Sequence, residues 1–327
     1  MRGFKVILAA AFCAFLWQTQ SPAQDAPLEA AKSAYEKGDY KKAIELLNSA
    51  AAKEPANGEI QLLLTKAYLE SNQYEKAVGS AEKAVAIDPK NSAYHQWLGE
   101  AYGAKADHSS MLSAYSWARK TQKEFEAGVQ LNERNFDAAQ DLIEYDCTAP
   151  SIVGGGEDKA QPLIQKLMTL DPAEGHFGAG VCKAVKKDYV GADVEYAKAL
   201  ESKSKAADRI YDIGDYFLQR GQGEKLLEVA TAGEALAPKD PRGMYYQAVG
   251  WILKGEKYPD AEKMLRQYLG AGPLRSTYPN PWDAHYWLGR LYAAQKNTAG
   301  AKSEYQEALK LNPKYKKAQE ALKQLGQ

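Results

Sequence analysis

Residues 282–313 read WDAHYWLGRLYAAQKNTAGAKSEYQEALKLNP, and the spacing of small and large residues in this stretch decides the fold. Small residues at Gly289, Ala301 and Ala308 would let two helix backbones approach closely, with larger side chains filling the space around them. Pro313 would end the second helix, because proline lacks a backbone N–H. The stretch therefore predicts a helical hairpin whose apolar face needs a neighbouring hairpin to cover it.

The same pattern recurs earlier in the chain with a constant period. Ala43 and Ala77 hold the same position in two successive copies, and Pro55 and Pro89 end those copies. Each pair is separated by the same interval, roughly 34 residues. A pair of ordinary amphipathic helices would show the 3.6-residue spacing but would not repeat at this longer interval. The period predicts an all-α array of about eight stacked hairpins, with residues 314–327 forming a helix that caps the last apolar face.

The array divides into regular and degenerate parts. Residues 24–91 and 207–313 keep the pattern, whereas residues 92–206 hold three degenerate copies. In the first of these copies, we expect residues 103–113 to be irregular or extended and a long helix to follow them. In the second copy, the glycine-rich connector 148–156 is about five residues longer than the period allows.

The pattern resembles the tetratricopeptide repeat (TPR) superfamily, through a Leu-Gly-x-x-Tyr first helix, an Ala-x-x-x-Tyr second helix and a terminal proline, here Leu288, Gly289, Tyr292, Ala301, Tyr305 and Pro313. The resemblance covers about residues 24–326. It implies a right-handed superhelix whose concave groove binds peptides or proteins. The long third unit and the connector also resemble a group of exported bacterial TPR proteins of undefined function.

Charge and composition narrow the classes of function. The chain has 42 basic and 42 acidic residues and no formal net charge, which argues against a nucleic-acid binder held by counterion release. A composition rich in alanine, lysine, glutamate and leucine favours helix over strand. At 327 residues the chain could hold several domains, but the repeat predicts one continuous solenoid over residues 24–327.

The N-terminus has the features of a secretory signal peptide over residues 1–23. Arg2 and Lys5 precede an unbroken apolar run from Val6 to Trp17, and Ala23 lies among small residues suited to cleavage. The run is shorter than the roughly 20 residues that span a bilayer, although an uncleaved membrane anchor is the alternative. Cleavage near Ala23 would leave a protein with a net charge of −2 in the periplasm or outside the cell.

No sequence motif for catalysis, a cofactor or a metal is present. The glycines of the connector are not followed by the Lys-Ser/Thr pair of a phosphate-binding loop, because Lys159 precedes Ala160. The four histidines, His95, His108, His176 and His285, show no metal-ligand spacing. We therefore expect a non-catalytic protein without cofactor or metal. The alternative is an enzyme or small-ligand binder with its site near residues 148–156.

Two cysteines remain after removal of the signal peptide. Cys147 and Cys182 are too far apart for a CxxC motif. They fall on first helices of neighbouring repeats, which pack side by side in the TPR family, so a disulfide is geometrically plausible in an oxidising compartment. Two buried free thiols are the alternative.

The TPR resemblance also suggests where a partner would bind. In that family the groove is lined by the first helix of each hairpin, and the corresponding residues here are Tyr211, Asp215, Arg242, Tyr245, Tyr286 and Arg290. Tyrosine and arginine are enriched at binding hot spots, so we expect a carboxylate or an extended segment to lie along them. The alternative is that the tyrosines fill gaps between repeats.

The predicted function is that of a protein-interaction scaffold in the cell envelope. Its expected partner is a protein or peptide, not a nucleic acid, and self-association is compatible with the sequence. A structural subunit of an envelope or secretion assembly, using its ends and edges, is the second interpretation.

Overall fold

The computed structural model describes residues 22–272, 274–275 and 277–326, with side chains from residue 27 onward. Within these residues all regular secondary structure is helical. A short 3₁₀ helix covers Ser151–Val153, and the α-helices are α1 Pro22–Glu36, α2 Tyr40–Lys53, α3 Gly58–Glu70, α4 Tyr74–Ile87, α5 Ser92–Asp107, α6 Met111–Leu131, α7 Phe136–Thr148, α8 Glu157–Leu170, α9 Pro172–Val185, α10 Tyr189–Glu201, α11 Ala207–Gln219, α12 Gly223–Leu236, α13 Arg242–Lys254, α14 Tyr258–Leu269, α15 Pro281–Ala294, α16 Thr298–Leu311 and α17 Lys316–Leu325. The predicted signal peptide lies outside the described residues, except for its last two positions at the start of α1.

Consecutive helices pack as eight antiparallel hairpins, numbered 1 to 8 from α1/α2 to α15/α16, and α17 packs on the last one. The first helices of neighbouring hairpins also contact one another, as α3 does α5 and α7 does α9, so they form the inner layer of the array. The second helices form the outer layer. This arrangement confirms the predicted all-α superhelix of about eight hairpins with a capping helix. No helix in the described part of the chain is long and apolar enough to cross a membrane.

A glycine in the first helix faces an aromatic ring of the second helix in several hairpins. A Cβ atom built on Gly99 would lie 2.5 Å from the ring of Phe125, and one on Gly180 would lie 2.8 Å from the ring of Tyr196. Gly289 faces Tyr305 in the same way. The ring thus occupies the space that the missing side chain leaves, which holds the two helices of a hairpin at close range.

Hairpin 3 is ten residues longer than its relatives. The glycine and the ring that face each other are farther apart in the sequence in hairpin 3, at Gly99 and Phe125, than in hairpin 5, at Gly180 and Tyr196. The prediction of an irregular segment over residues 103–113 is wrong, because α5 continues to Asp107 and α6 already begins at Met111. The extra residues include good helix formers, so they lengthen both helices instead of forming a loop. A mean gain of about five residues per helix moves the end of this hairpin outward by about 7 Å.

The longer connector of hairpin 4 packs against this extension. Its 3₁₀ helix is followed by Gly154, whose φ of 108° lies in the region that glycine favours. The hydroxyl oxygen of Tyr145 lies 2.8 Å from the carbonyl oxygens of both Ala118 in α6 and Val153 in the connector, so its one hydrogen is shared between them. The amide of Gln122 in α6 donates to the carbonyl oxygen of Gly154. The two departures from the regular repeat therefore meet at one place.

Candidate functional site

Three of the residues predicted to line the groove lie inside the protein. Tyr211 and Tyr245 are each 1% exposed and Arg242 is buried, so the prediction that they form an open surface is wrong. The Tyr211 ring fits over Gly233 and stacks on Tyr246 with 5.6 Å between ring centroids. Glycine at position 233 leaves the space that draws this ring inward. Tyr211 therefore fills space both within its own hairpin and against the next one.

The buried guanidinium of Arg242 is already paired. It lies 4.3 Å from the centroid of the Tyr211 ring and donates hydrogen bonds to both Asp208, at 2.5 Å, and Asp240, at 2.6 Å. The repeat pattern places Asp208 on a first helix but does not indicate that either aspartate pairs with Arg242. Because its donors are used internally, Arg242 is not free to bind the carboxylate of a partner.

The other three predicted residues remain accessible but do not meet in one patch. Arg290 is exposed, with its guanidinium 5.2 Å from the centroid of the Trp287 ring. Tyr286 is half-buried against aromatic neighbours that include Tyr305. Asp215 accepts a hydrogen bond of 2.6 Å from the hydroxyl of Tyr246. The inner face therefore offers isolated accessible groups here and not a stripe of tyrosine and arginine.

Carboxylates are the prominent accessible groups on the inner layer. Asp212 is typical, because its side chain is 50% exposed yet surrounded by the helices of the array. Burial within these surroundings raises the pKa of Asp212 to about 6, against the lowering effect of Arg209. Burial also raises the pKa of Asp215. A group that is open to solvent and still partly desolvated lies in a concave, enclosed surface.

A cavity of about 540 Å³ lies between α5, α6, α7 and the connector of hairpin 4. We call it the hairpin 3 cavity. Its walls carry apolar side chains and four carboxylates, and the residues that matter most are Glu100, Asp107, Phe125, Asp141, Glu144 and Tyr145. No lysine or arginine is among the described residues that line it.

The carboxylates in this cavity oppose one another. Glu100 and Asp141 share a hydrogen bond, and the amide of Gln96 donates to Asp141 Oδ2 at 2.9 Å. Burial and the neighbouring carboxylate of Glu144 raise the pKa of Glu100 from its ordinary 4.5 to about 7. Burial and Glu100 together raise the pKa of Asp141. The cavity therefore carries negative charge that is incompletely compensated near neutral pH.

A disulfide holds one wall of the cavity in place. Cys147 near the end of α7 is joined to Cys182 in α9, with 5.3 Å between their Cα atoms, a usual separation for a disulfide. Thr148, the next residue, lines the cavity. The glycine-rich connector serves as a turn, because Lys159 donates a hydrogen bond back to the carbonyl oxygen of Gly154.

Three of the four histidines form the same pair within their hairpins. His95 Nδ1 lies 2.6 Å from Glu124 Oε2, and His285 Nδ1 lies 2.7 Å from Glu304 Oε2. His176 pairs with Glu195 in the corresponding way. These pairs link the two helices of a hairpin, and no cluster of three or more metal-ligating side chains occurs in the described ranges.

Comparisons with known proteins agree with the repeat pattern. Two tetratricopeptide repeat family models match residues 34–102 and 253–324. A similar solved structure is a TPR protein of Thermus thermophilus, 20% identical over 60% of this chain and 99% of that one, with a TM-score of 0.48. Another, a TPR protein of Parabacteroides merdae, is 13% identical over 94% of this chain and all of its own length, with a TM-score of 0.42.

A third similar structure is the Cut9–Hcn1 hetero-tetramer of the APC/C. One of its chains is 14% identical in sequence to this protein, over 94% of this chain and 57% of that one, with a TM-score of 0.50. At such identities the likeness concerns the fold alone. No curated protein sequence matches the chain.

Proposed function

The chain belongs to the tetratricopeptide repeat superfamily, and on that basis we propose that it is a non-catalytic scaffold that binds a peptide or protein segment on the inner face of its array. Repeat arrays of this kind present extended concave surfaces to their partners. The observation that carries the proposal is the inner layer formed by contacts between the first helices, on which Asp212 remains half exposed. A chain segment entering this space would be contacted from several hairpins at once.

The inner face selects for a basic partner rather than an acidic one. Its accessible carboxylates include Asp141, Glu144 and Asp212, whereas Arg242 is buried and paired with aspartates. Lysine or arginine side chains of a partner would relieve the repulsion among these carboxylates. This reverses the expectation that a carboxylate of the partner would be bound by arginine.

Export to the cell envelope completes the proposal. It is supported by the basic start, the apolar run from Val6 to Trp17 and the small residues around Ala23. A disulfide between Cys147 and Cys182 is also suited to an oxidising compartment.

Site-specific photocrosslinking in the native host tests the binding face. A photoreactive amino acid would replace Asp212 or Arg290 on the inner layer, and Val190 on the outer helix α10 would serve as the control because it is also exposed. We expect the two inner positions to capture the same partner and the Val190 position to capture none. Crosslinks from Val190 alone would contradict the proposal and favour a structural subunit that uses its edges.

A further inference from the structure

The two insertions in the array build a surface that the regular repeat lacks. Ten residues extend hairpin 3, about five extend the connector of hairpin 4, and the cavity lies between them. Regular hairpins need neither insertion to pack, because hairpins 5 and 8 keep the glycine–ring contact without one. The additional residues therefore serve the cavity and its rim rather than the stacking of the array.

The apolar wall of the cavity continues onto an exposed helix end. Met111, Ala118 and Phe125 are spaced seven residues apart and so lie on one face of α6. Ala118 and Phe125 line the cavity, while Met111 is 78% exposed. Leu112 beside it is 88% exposed. Apolar side chains that are exposed next to a cavity add area that a partner entering the cavity can cover.

Ile152 adds an exposed apolar side chain from the other insertion, in the connector that lines the cavity. It lies exposed in the 3₁₀ helix of the connector, and its carbonyl oxygen accepts a hydrogen bond from Arg119 of α6 at 3.3 Å. The two insertions therefore each supply exposed apolar side chains to the rim, which consists of Met111, Leu112 and Ile152. Below it the cavity wall is acidic.

Charge complementarity identifies the occupant. The described lining of the cavity contains no basic side chain. Its four carboxylates are Glu100, Asp107, Asp141 and Glu144. An amphipathic segment can place a cation among these carboxylates and an apolar side chain on the rim at the same time. A uniformly apolar segment would leave the carboxylates desolvated and unpaired, and an acidic one would be repelled.

We propose that the hairpin 3 cavity and the apolar rim of Met111, Leu112 and Ile152 form one docking site for a basic, amphipathic segment of a protein partner. This inference rests on the proposed scaffold function and adds a defined site and a partner chemistry to it. The lysine or arginine of the segment binds between Glu100 and Asp141, and its apolar residues pack on the end of α6.

Fluorescence anisotropy with defined peptides tests the site in the full mature chain. The probe is a labelled amphipathic peptide of lysine and leucine, and its comparator has glutamate in place of lysine. We expect the lysine peptide alone to bind. The double substitution Glu100→Gln with Asp141→Asn should weaken binding by about tenfold or more, because it removes the charge and keeps the shape.

Two further variants separate a site from general attraction. Met111→Ser with Leu112→Ser changes only exposed side chains, so it should weaken binding without lowering Tm. Glu224→Gln with Glu228→Gln removes the same charge from exposed positions on the outer helix α12, outside the cavity and the inner face, and should leave affinity nearly unchanged. The proposal is overturned if the lysine peptide does not bind, if the cavity variant binds normally, or if the Glu224 and Glu228 variant weakens binding equally. In any of these cases, crosslinking from Arg290 could still establish the broader scaffold function.

Discussion

Single glycines control how closely the helices of this protein approach. Gly289 faces the ring of Tyr305, and Gly233 faces the ring of Tyr211. In both cases the absence of a side chain gives the ring its place in the core. The same reasoning explains why Tyr211 is unavailable to a partner, because a ring drawn into such a space is held by packing.

Two glycine substitutions should change stability in opposite directions. Gly289→Ala would force a Cβ atom against the Tyr305 ring, which we expect to cost about 1–3 kcal/mol. Gly79 lies in the interior of α4 with no atom within 4 Å of an added Cβ, so Gly79→Ala should stabilise by about 0.4–1 kcal/mol. Thermal unfolding followed by circular dichroism measures both. Equal effects of the two changes would contradict the packing role of Gly289.

Glu100 makes stability depend on pH in an unusual direction. Its pKa rises from 4.5 to about 7 on folding because of burial and the Glu144 carboxylate, so the folded state binds a proton that the unfolded state releases in this interval. Stability should therefore fall as pH rises from about 5 to 7. Glu100→Gln removes the ionisation and should raise Tm at pH 8 by about 2–4 °C, the shift that 1 kcal/mol causes in a domain of moderate size.

Calorimetry at several pH values checks this prediction. The variant should lose part of the pH dependence between 5 and 8, while Glu133→Gln, an exposed carboxylate paired with Lys166, should not. A steeper dependence in the Glu100 variant would show that another group is responsible.

At the scale of helices, hairpins 3 to 5 have irregular lengths, and a disulfide bond joins hairpin 4 to hairpin 5. The disulfide between Cys147 and Cys182 connects α7 to α9, two first helices that also contact each other. It encloses the connector and α8 within a separation of 35 residues. A cross-link of this span restricts the unfolded chain where the repeat pattern is least regular.

The contribution of this disulfide to the free energy of unfolding can be measured directly. Cys147→Ser with Cys182→Ser should destabilise the protein by about 2–4 kcal/mol. Reductant should lower the Tm of the parent protein and leave that of the variant unchanged. Labelling of the unfolded parent protein with a thiol reagent should detect no free cysteine at these positions, and two labelled thiols would show that the bridge does not form in the cell.

At the scale of the whole molecule, stacking makes one continuous body out of eight hairpins. The apolar faces of successive hairpins cover one another, and α17 covers the last face with Ala318 and Ala321 packed toward Tyr305 and Ala308. The first residue packed on the described core is Leu28, so removal of a segment at residue 23 would leave the described core clusters complete. Such a processing point is consistent with an intact solenoid after export.

Export predicts a defined N-terminus. Protein recovered from the envelope of the native host should begin near Gln24, because small residues precede this point. Intact-mass measurement and N-terminal sequencing test this, with Ala23→Tyr expected to block processing and Ala26→Tyr expected to permit it. Recovery of the full-length chain from the membrane fraction would indicate an uncleaved anchor instead.

The constant repeat period by itself determined the fold class, the number of hairpins and the capping helix. These features follow from local spacing, because each hairpin must bury the same face in the same way. The candidate site could not be found from the sequence by such reasoning. Contacts between different hairpins decide the stacking of Tyr211 on Tyr246, the internal pairing of Arg242 with Asp208 and the meeting of Glu100 with Asp141. Only the tertiary structure decided them, because a repeat fixes the position of a residue on its helix but not the neighbours it receives from the next one.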